Sequence, residues 1–492
     1  MKRLLCLLLA VLMLGACAAS PADTQPTTAP IGTAAPTTEA TEEATEPQWA
    51  PFTGKLNGYV YYYDQGRSRD WEEDILHVAG VFLGEVYANG HPLLTDMEFQ
   101  TMFSMDGMDV EYRYFYDAAL REEFLQAINA LLPLIPQMED YEILFYLQKQ
   151  VAKLRDLHSS VVVWEALQTP FPLALTAFYT EAGPEIRATV LPKKHENALF
   201  SRLTAINGVP LESLTEQLSA YVSYENTYAL TEDICQLLTC AEPLRVLGIM
   251  EKDAKKACFD FVSDDGQVYS LTLDAVRGGN LAPYTLTGQN LYSMDSPLVR
   301  DQSVDYWWEY DEDSKMVYIR FNQIYEDYSH NYSAFLKEVR THLQKGPKTK
   351  AVVVDLRHNP GGQFHANLTH NLSSLLNSLE TQKSYVLFDS SSYSSAIWLP
   401  SNLMQMTENT LFVGTPGGQG ANFFASVYDY RMPNSDYGFR MSDNLWVTDP
   451  DNTDEALMPD ILLHQSLEDW IAGRDTVLEA IRTGRLPGES SK

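Results

Sequence analysis

The sequence predicts an α/β protein whose C-terminal half is built from repeated βαβ units, and three observations lead there. The run Ala351-Val352-Val353-Val354-Asp355 is nearly continuous in β-branched residues, which suits a strand covered on both faces in a parallel sheet. Before it come a strand-like stretch, Val317-Tyr318-Ile319-Arg320-Phe321, and a helical pattern through Phe335 to Leu343, together one crossover unit. After it the alternation continues with a helix over 366–379, a strand over Tyr385–Phe388, a helix over 395–406 and a strand over Thr410–Val413.

The N-terminus reads differently. Met1-Lys2-Arg3, the apolar run Leu4 to Leu14 and then Gly15-Ala16-Cys17 follow the order of a secretory signal, and the run is too short for a permanent membrane span. Leu14-Gly15-Ala16-Cys17 also resembles a bacterial lipobox. That resemblance implies an acylated Cys17 at the new N-terminus, holding an exported protein on the outer face of a bacterial cell membrane. The plainer alternative is an ordinary signal peptide with an incidental cysteine. Residues 18–50 are Thr, Pro, Ala and Glu with almost nothing large and apolar, so they cannot offset chain entropy by burial and are expected to form an extended tether.

The following segments fill in the architecture. Apolar residues at helical spacing, such as Ile75, Val78, Phe82 and Val86, then Ile143, Tyr146, Leu147, Val151 and Leu154, predict a helical subdomain over 51–165. Its last helix is expected to stop near Asp156-Leu157-His158, before the strand-like Ser160-Val161-Val162-Val163. Residues 166–300 hold short β-rich runs between turn residues, including Phe259–Val262 before Asp264-Asp265-Gly266. Within them Ala205-Ile206-Asn207-Gly208-Val209-Pro210 resembles the strand and turn of a PDZ-like domain, without the usual glycine-rich carboxylate-binding loop. The core domain is expected over 301–485.

Charge and cysteines bound the partners. The 492-residue chain carries a formal net charge of −31, which repels phosphate backbones and anionic lipid, so nucleic acid is excluded and an anchor must be the lipid itself. Of five cysteines, Cys6 leaves with the signal and Cys17 is assigned to the lipid; Cys235, Cys240 and Cys258 remain. No cysteine or histidine spacing fits zinc, and neither a metal nor another cofactor is expected. One disulfide among the three is left open.

Two turns in the core carry chemistry. Asp355-Leu356-Arg357-His358-Asn359-Pro360-Gly361-Gly362 closes a strand, and its two glycines, lacking Cβ atoms, can turn backbone N–H groups toward a developing oxyanion. A strand-ending turn that merely needs glycine is the alternative. One strand later comes Asp389-Ser390-Ser391-Ser392-Tyr393-Ser394-Ser395-Ala396, at a strand-to-helix junction. Ser390 to Ser392 suit helix caps. The order of these elements resembles the C-terminal-processing and tricorn-like serine peptidase family, whose lipoprotein members also match Val413-Gly414-Thr415-Pro416-Gly417-Gly418, Met432-Pro433-Asn434-Ser435, Pro459-Asp460-Ile461 and Gly473-Arg474-Asp475. The resemblance runs from about 315 to 482 and is fainter over 70–275.

That resemblance implies a crotonase-like (ClpP/crotonase) α/β core, a peptide or protein substrate, and a nucleophile at Ser394. Backbone N–H groups of Gly361, Gly362 and Ser395 would hold the oxyanion. Ile397 departs from the pattern, since many relatives carry glutamate there. The base is chosen by elimination within the family's two solutions. No lysine lies between Lys383 and the terminal Lys492, and the Gly417-Gly418-Gln419-Gly420 turn carries glutamine, so a Ser-Lys dyad in its usual position is excluded. The histidine solution has a candidate in Asp156-Leu157-His158-Ser159, similar to the segment that supplies the base in tricorn-like members; Ser159 matches the small hydroxyl near it. His358 and His365 have no counterpart role. For the acid that orients the imidazole, Glu455 is preferred, with Asp454 next to it. The expected activity is a membrane-anchored Ser-His peptidase working through an acyl-enzyme. The rivals are an inactive peptide-binding lipoprotein that kept the peptidase fold, and a solute-capturing lipoprotein.

Overall fold

The β-branched run Ala351–Asp355 is an inner strand of a six-stranded sheet in the computed structural model, which describes residues 53–56, 59–62, 67–83, 118–327, 329–442 and 444–488. The expected signal peptide, Cys17, the tether and Val86 lie outside the described residues. No helix among the described residues is long and apolar enough to cross a membrane.

The sheet runs, in spatial order, Tyr306–Asp311, Met316–Phe321, Ala351–Asp355, Lys383–Phe388, Thr410–Gly414 and Ile461–Leu462. The first pair is antiparallel and every later pair is parallel. The parallel strands are joined by helices at Tyr332–Lys345, Ala366–Asn377 and Ser395–Met406. Val352 and Val354 face one apolar layer with those helices, while Val353 faces the other with Val477, Leu478 and Ile481 of the helix Thr476–Thr483. All three valines are fully buried, each contributing about 1.5–3 kcal/mol by burial. This two-sided burial is why the run is apolar throughout instead of alternating.

A charged network inside the sheet sets the path of the chain leaving it. Arg357 follows the strand and its guanidinium lies between Asp355 (Nη2–Oδ2 2.6 Å) and Asp475 (Nη2–Oδ2 2.9 Å, Nη1–Oδ1 3.0 Å). Arg320, from the next strand, donates to the Arg357 carbonyl at 2.6 Å, and Tyr318 donates to Asp355 Oδ2 at 2.8 Å. Asp475 also caps the helix Thr476–Thr483. Burial by itself would raise its carboxyl, but the Arg357 charge and hydrogen bonds hold it below the usual carboxylate range.

Residues 174–288 form a separate, wholly antiparallel sheet with the order Leu286–Gly288, Gly183–Pro192, Arg202–Ile206, Lys256–Val262, Val268–Asp274, to which Ala174–Thr180 and Val209–Pro210 add pairs. Helices Leu211–Ser219, Thr227–Leu237 and Ala241–Val246 accompany it. Cys235, Cys240 and Cys258 are free thiols. The N-terminal helices Arg67–Phe82, Ala118–Leu131 and Asp140–Val151 share one apolar cluster with this sheet and with Met432, Phe439 and Met441 of the core. Buried Asp74 accepts the Asn434 and Ser435 N–H groups, both at 2.8 Å, tying the first of these helices to the core.

Candidate active site

Two turns at the carboxyl ends of adjacent parallel strands meet face to face, where ligands of open α/β sheets bind. The first runs from Asp355 to Gly362 and the second from Phe388 to Ser395. Asn359, fully buried, shapes the first by donating to the Phe321 carbonyl (2.8 Å) and accepting the Gly361 N–H (2.8 Å). Ser392 staples the two turns together, donating to the Leu356 carbonyl at 2.9 Å, so it is no helix cap. Ser395 adds a second staple, Oγ to the Gly362 carbonyl at 2.8 Å.

Ser394 sits at the start of the helix Ser395–Met406 with φ 60° and ψ −131°, a left-handed conformation that costs a non-glycine residue about 1–3 kcal/mol. The neighbouring contacts enforce it. A Cβ on Gly361 (φ +90°) would come within 2.5 Å of Ser394 Cβ and 2.8 Å of the Tyr393 carbonyl, so glycine is required for this close approach. Ser394 is partly exposed, and its N–H donates to Gln419 Oε1 at 2.6 Å.

His158 arrives from the helical subdomain. The helix Asp140–Val151 runs on through a short turn and stops at Arg155, which is left-handed (φ 55°). Asp156 then takes the His158 N–H (2.9 Å), the Ser159 hydroxyl (2.6 Å) and the Ser442 hydroxyl (2.7 Å). Ser160–Val161 pairs with Phe439–Arg440, which fastens the segment to the core. His158 is 2 % exposed, stacks on Phe423 at 6.0 Å and lies 5.6 Å from the Tyr393 ring. Burial, then the Arg440 charge, push its pKa down to about 3, against the pull of the Phe424 carbonyl.

Of the residues singled out in the sequence, Ser394, Ser395, Gly362 and His158 are brought together, with one side chain, Gln419, between the serine turn and the imidazole. Gln419 Nε2 reaches His158 Nδ1 at 3.3 Å and Glu225 Oε1 at 2.7 Å. Two expectations need correction. The Gly361 N–H is turned onto Asn359, so only the Gly362 and Ser395 N–H groups make no hydrogen bond among the described residues. Glu455 and Asp454 are exposed side chains, and Glu455 enters the site only through its carbonyl, which accepts Asn226 Nδ2 at 3.1 Å. The acids beside the imidazole are Asp156 and Glu225.

Glu225 was not legible beforehand because it belongs to the segment before the helix Thr227–Leu237, far from both turns in sequence. Asn226, next to it, caps that helix and also donates to the Gly417 carbonyl at 3.0 Å, laying the segment across the site. Ligand atoms of Asp156, His158 and Glu225 lie within 4.8 Å of one another, a donor set of metal-binding type. Its carboxylates already accept protein donors, three on Asp156 and both Gln419 and the Leu157 N–H on Glu225, which a cation would have to displace. Ile397 is fully buried in the apolar layer against Gly417, which accounts for an apolar residue there. His358 faces Asp389 (3.3 Å) and His365 begins the helix Ala366–Asn377.

No family model and no curated protein matches the chain. Among solved structures it is similar to mature CPAF, at 13 % identity over 83 % of this chain and 97 % of that one, with a TM-score of 0.51. A serine-to-alanine mutant of CPAF gives 11 % identity, 85 % and 99 % coverage and a TM-score of 0.50. The tricorn protease aligns at 12 % identity over 75 % of this chain and 35 % of that one, with a TM-score of 0.34. The overall fold is thus shared with CPAF.

Proposed function

We propose that this chain is an exported serine peptidase of the tricorn-like kind, in which Ser394 attacks a peptide carbonyl and His158 takes and returns the proton. The carrying observation is the strained, partly exposed Ser394 at a strand-to-helix turn, pressed against Gly361 and separated from His158 by one amide group. The Gly362 and Ser395 N–H groups are the oxyanion donors in this reading. The shared fold with CPAF and the sequence resemblance to peptidases with a crotonase-like core and a PDZ-like module support it. Labelling with a fluorophosphonate probe is expected in the parent and absent in Ser394→Ala; equal labelling in both sinks the assignment.

Localisation is proposed on the sequence: lipid on Cys17, with residues 18–50 as tether, holds the peptidase at the outer face of a bacterial cell membrane. In a bacterial host fed a radiolabelled fatty acid, the full chain is expected to incorporate label and Cys17→Ala to lose it. Label retained in the variant overturns the anchor.

A further inference from the structure

The orientation of the Gln419 amide is dictated by its partners. The Ser394 backbone N–H can only donate, so the amide oxygen must face it, as it does at 2.6 Å. The amide nitrogen therefore points to Glu225 Oε1, an oxygen that also accepts the Leu157 N–H at 3.4 Å, and to His158 Nδ1. An amide nitrogen offers no lone pair, so Nδ1 has to be the acceptor, and the proton of the neutral ring sits on Nε2. The ring edge that faces Gln419 is thus its basic edge, and its lone pair is already occupied. The Ser394 hydroxyl, meanwhile, takes part in no hydrogen bond among the described residues.

Building on the hydrolase reading, we infer that Gln419 is a latch that keeps this site at rest until a substrate backbone displaces it. The Gln419 main chain is pinned: its carbonyl accepts the Leu457 N–H at 2.7 Å, and the Leu457 carbonyl accepts the Gly417 N–H at 2.9 Å. Motion is therefore left to the side chain. The Gly362 and Ser395 N–H groups are open to the scissile carbonyl, whereas a neighbouring substrate carbonyl that takes the Ser394 N–H has to displace Gln419 Oε1 from it. Once the amide swings away, Nδ1 is uncovered as a proton acceptor, and Glu225 remains as a partner for the displaced amide. The same residue position that rules out a lysine base thereby supplies a regulator.

The rate of fluorophosphonate labelling tests this. Gln419→Ala is expected to label about tenfold faster than the parent, the factor worth one net hydrogen bond. Labelling of the variant at the parental rate or slower overturns the latch while leaving the hydrolase reading intact. No labelling in either protein overturns the hydrolase reading, and the latch with it. A second measurement needs no variant: nitrogen NMR of the histidine-labelled parent, with His158→Ala to assign the signals, is expected to show His158 protonated at Nε2 and bare at Nδ1. A proton on Nδ1 overturns the latch whatever the kinetics.

Discussion

Replacing His158 by alanine is expected to lower kcat/KM for a peptide substrate by about a hundredfold, the lower end for a general base because burial makes this imidazole a weak one, while also changing how stability depends on pH. The second effect follows from burial. With its pKa near 3 in the folded chain and about 6.5 when unfolded, the imidazole takes up a proton between those values only on unfolding. Stability must then fall as pH drops from 6.5 toward 3, by about 1.4 kcal/mol per pH unit, or about 2 kcal/mol between pH 6.5 and 5. His158→Ala removes this contribution, so the gap between its melting midpoints at pH 6.5 and pH 5 is expected to be narrower than the parent's. An unchanged gap shows that the ring is not held neutral. The same burial predicts that protonation of this base does not shut off labelling near pH 6, unlike a histidine titrating at its ordinary value.

Arg357→Met is the second large effect, and it acts on the scaffold. The substitution leaves Asp355 and Asp475 buried with the shared cation gone, a change that costs about 3–5 kcal/mol when one partner of a buried pair is removed. The loss is large beside the total stability of a domain, about 5–15 kcal/mol. It also has a pH signature. In the parent, Asp475 has a depressed carboxyl pKa, so its contribution is present above about pH 4 and is lost as pH falls through the lower folded value. In Arg357→Met, Asp355 keeps Arg320 at 3.6 Å while Asp475 is left without a cation and is relieved by protonation, so the deficit measured by denaturant unfolding is expected to be largest at pH 7 and to shrink toward pH 4. A deficit independent of pH assigns the cost to lost packing instead.

Local chemistry made the core readable in advance. Val352, Val353 and Val354 announced a strand buried on both faces because β-branched side chains favour strands and a continuous apolar run suits a sheet covered on both sides. The two turns were visible because close approach needs glycine at Gly361 and because Ser394 precedes a helical pattern. Asp156-Leu157-His158 could be placed at the end of a helix because the apolar spacing stops there. Other parts of the site gave no such signal. The Asn359 side chain takes the Gly361 N–H, a contact that depends on the exact path of the turn and not on residue type.

What the sequence by itself determined is the parallel core, the strand-to-helix position of Ser394 and the lack of a lysine to serve it, since periodicity and residue type act over a few neighbouring positions. What only the tertiary structure decided is the company His158 keeps. Asp156 and Glu225, and not the expected Glu455, lie beside the ring, and Gln419 joins the Ser394 N–H to it, through contacts between residues up to 261 positions apart. Such contacts exist only once the helical subdomain, the antiparallel module and the core have packed. Their geometry is set by the shared burial of three segments and not by the pattern within any one.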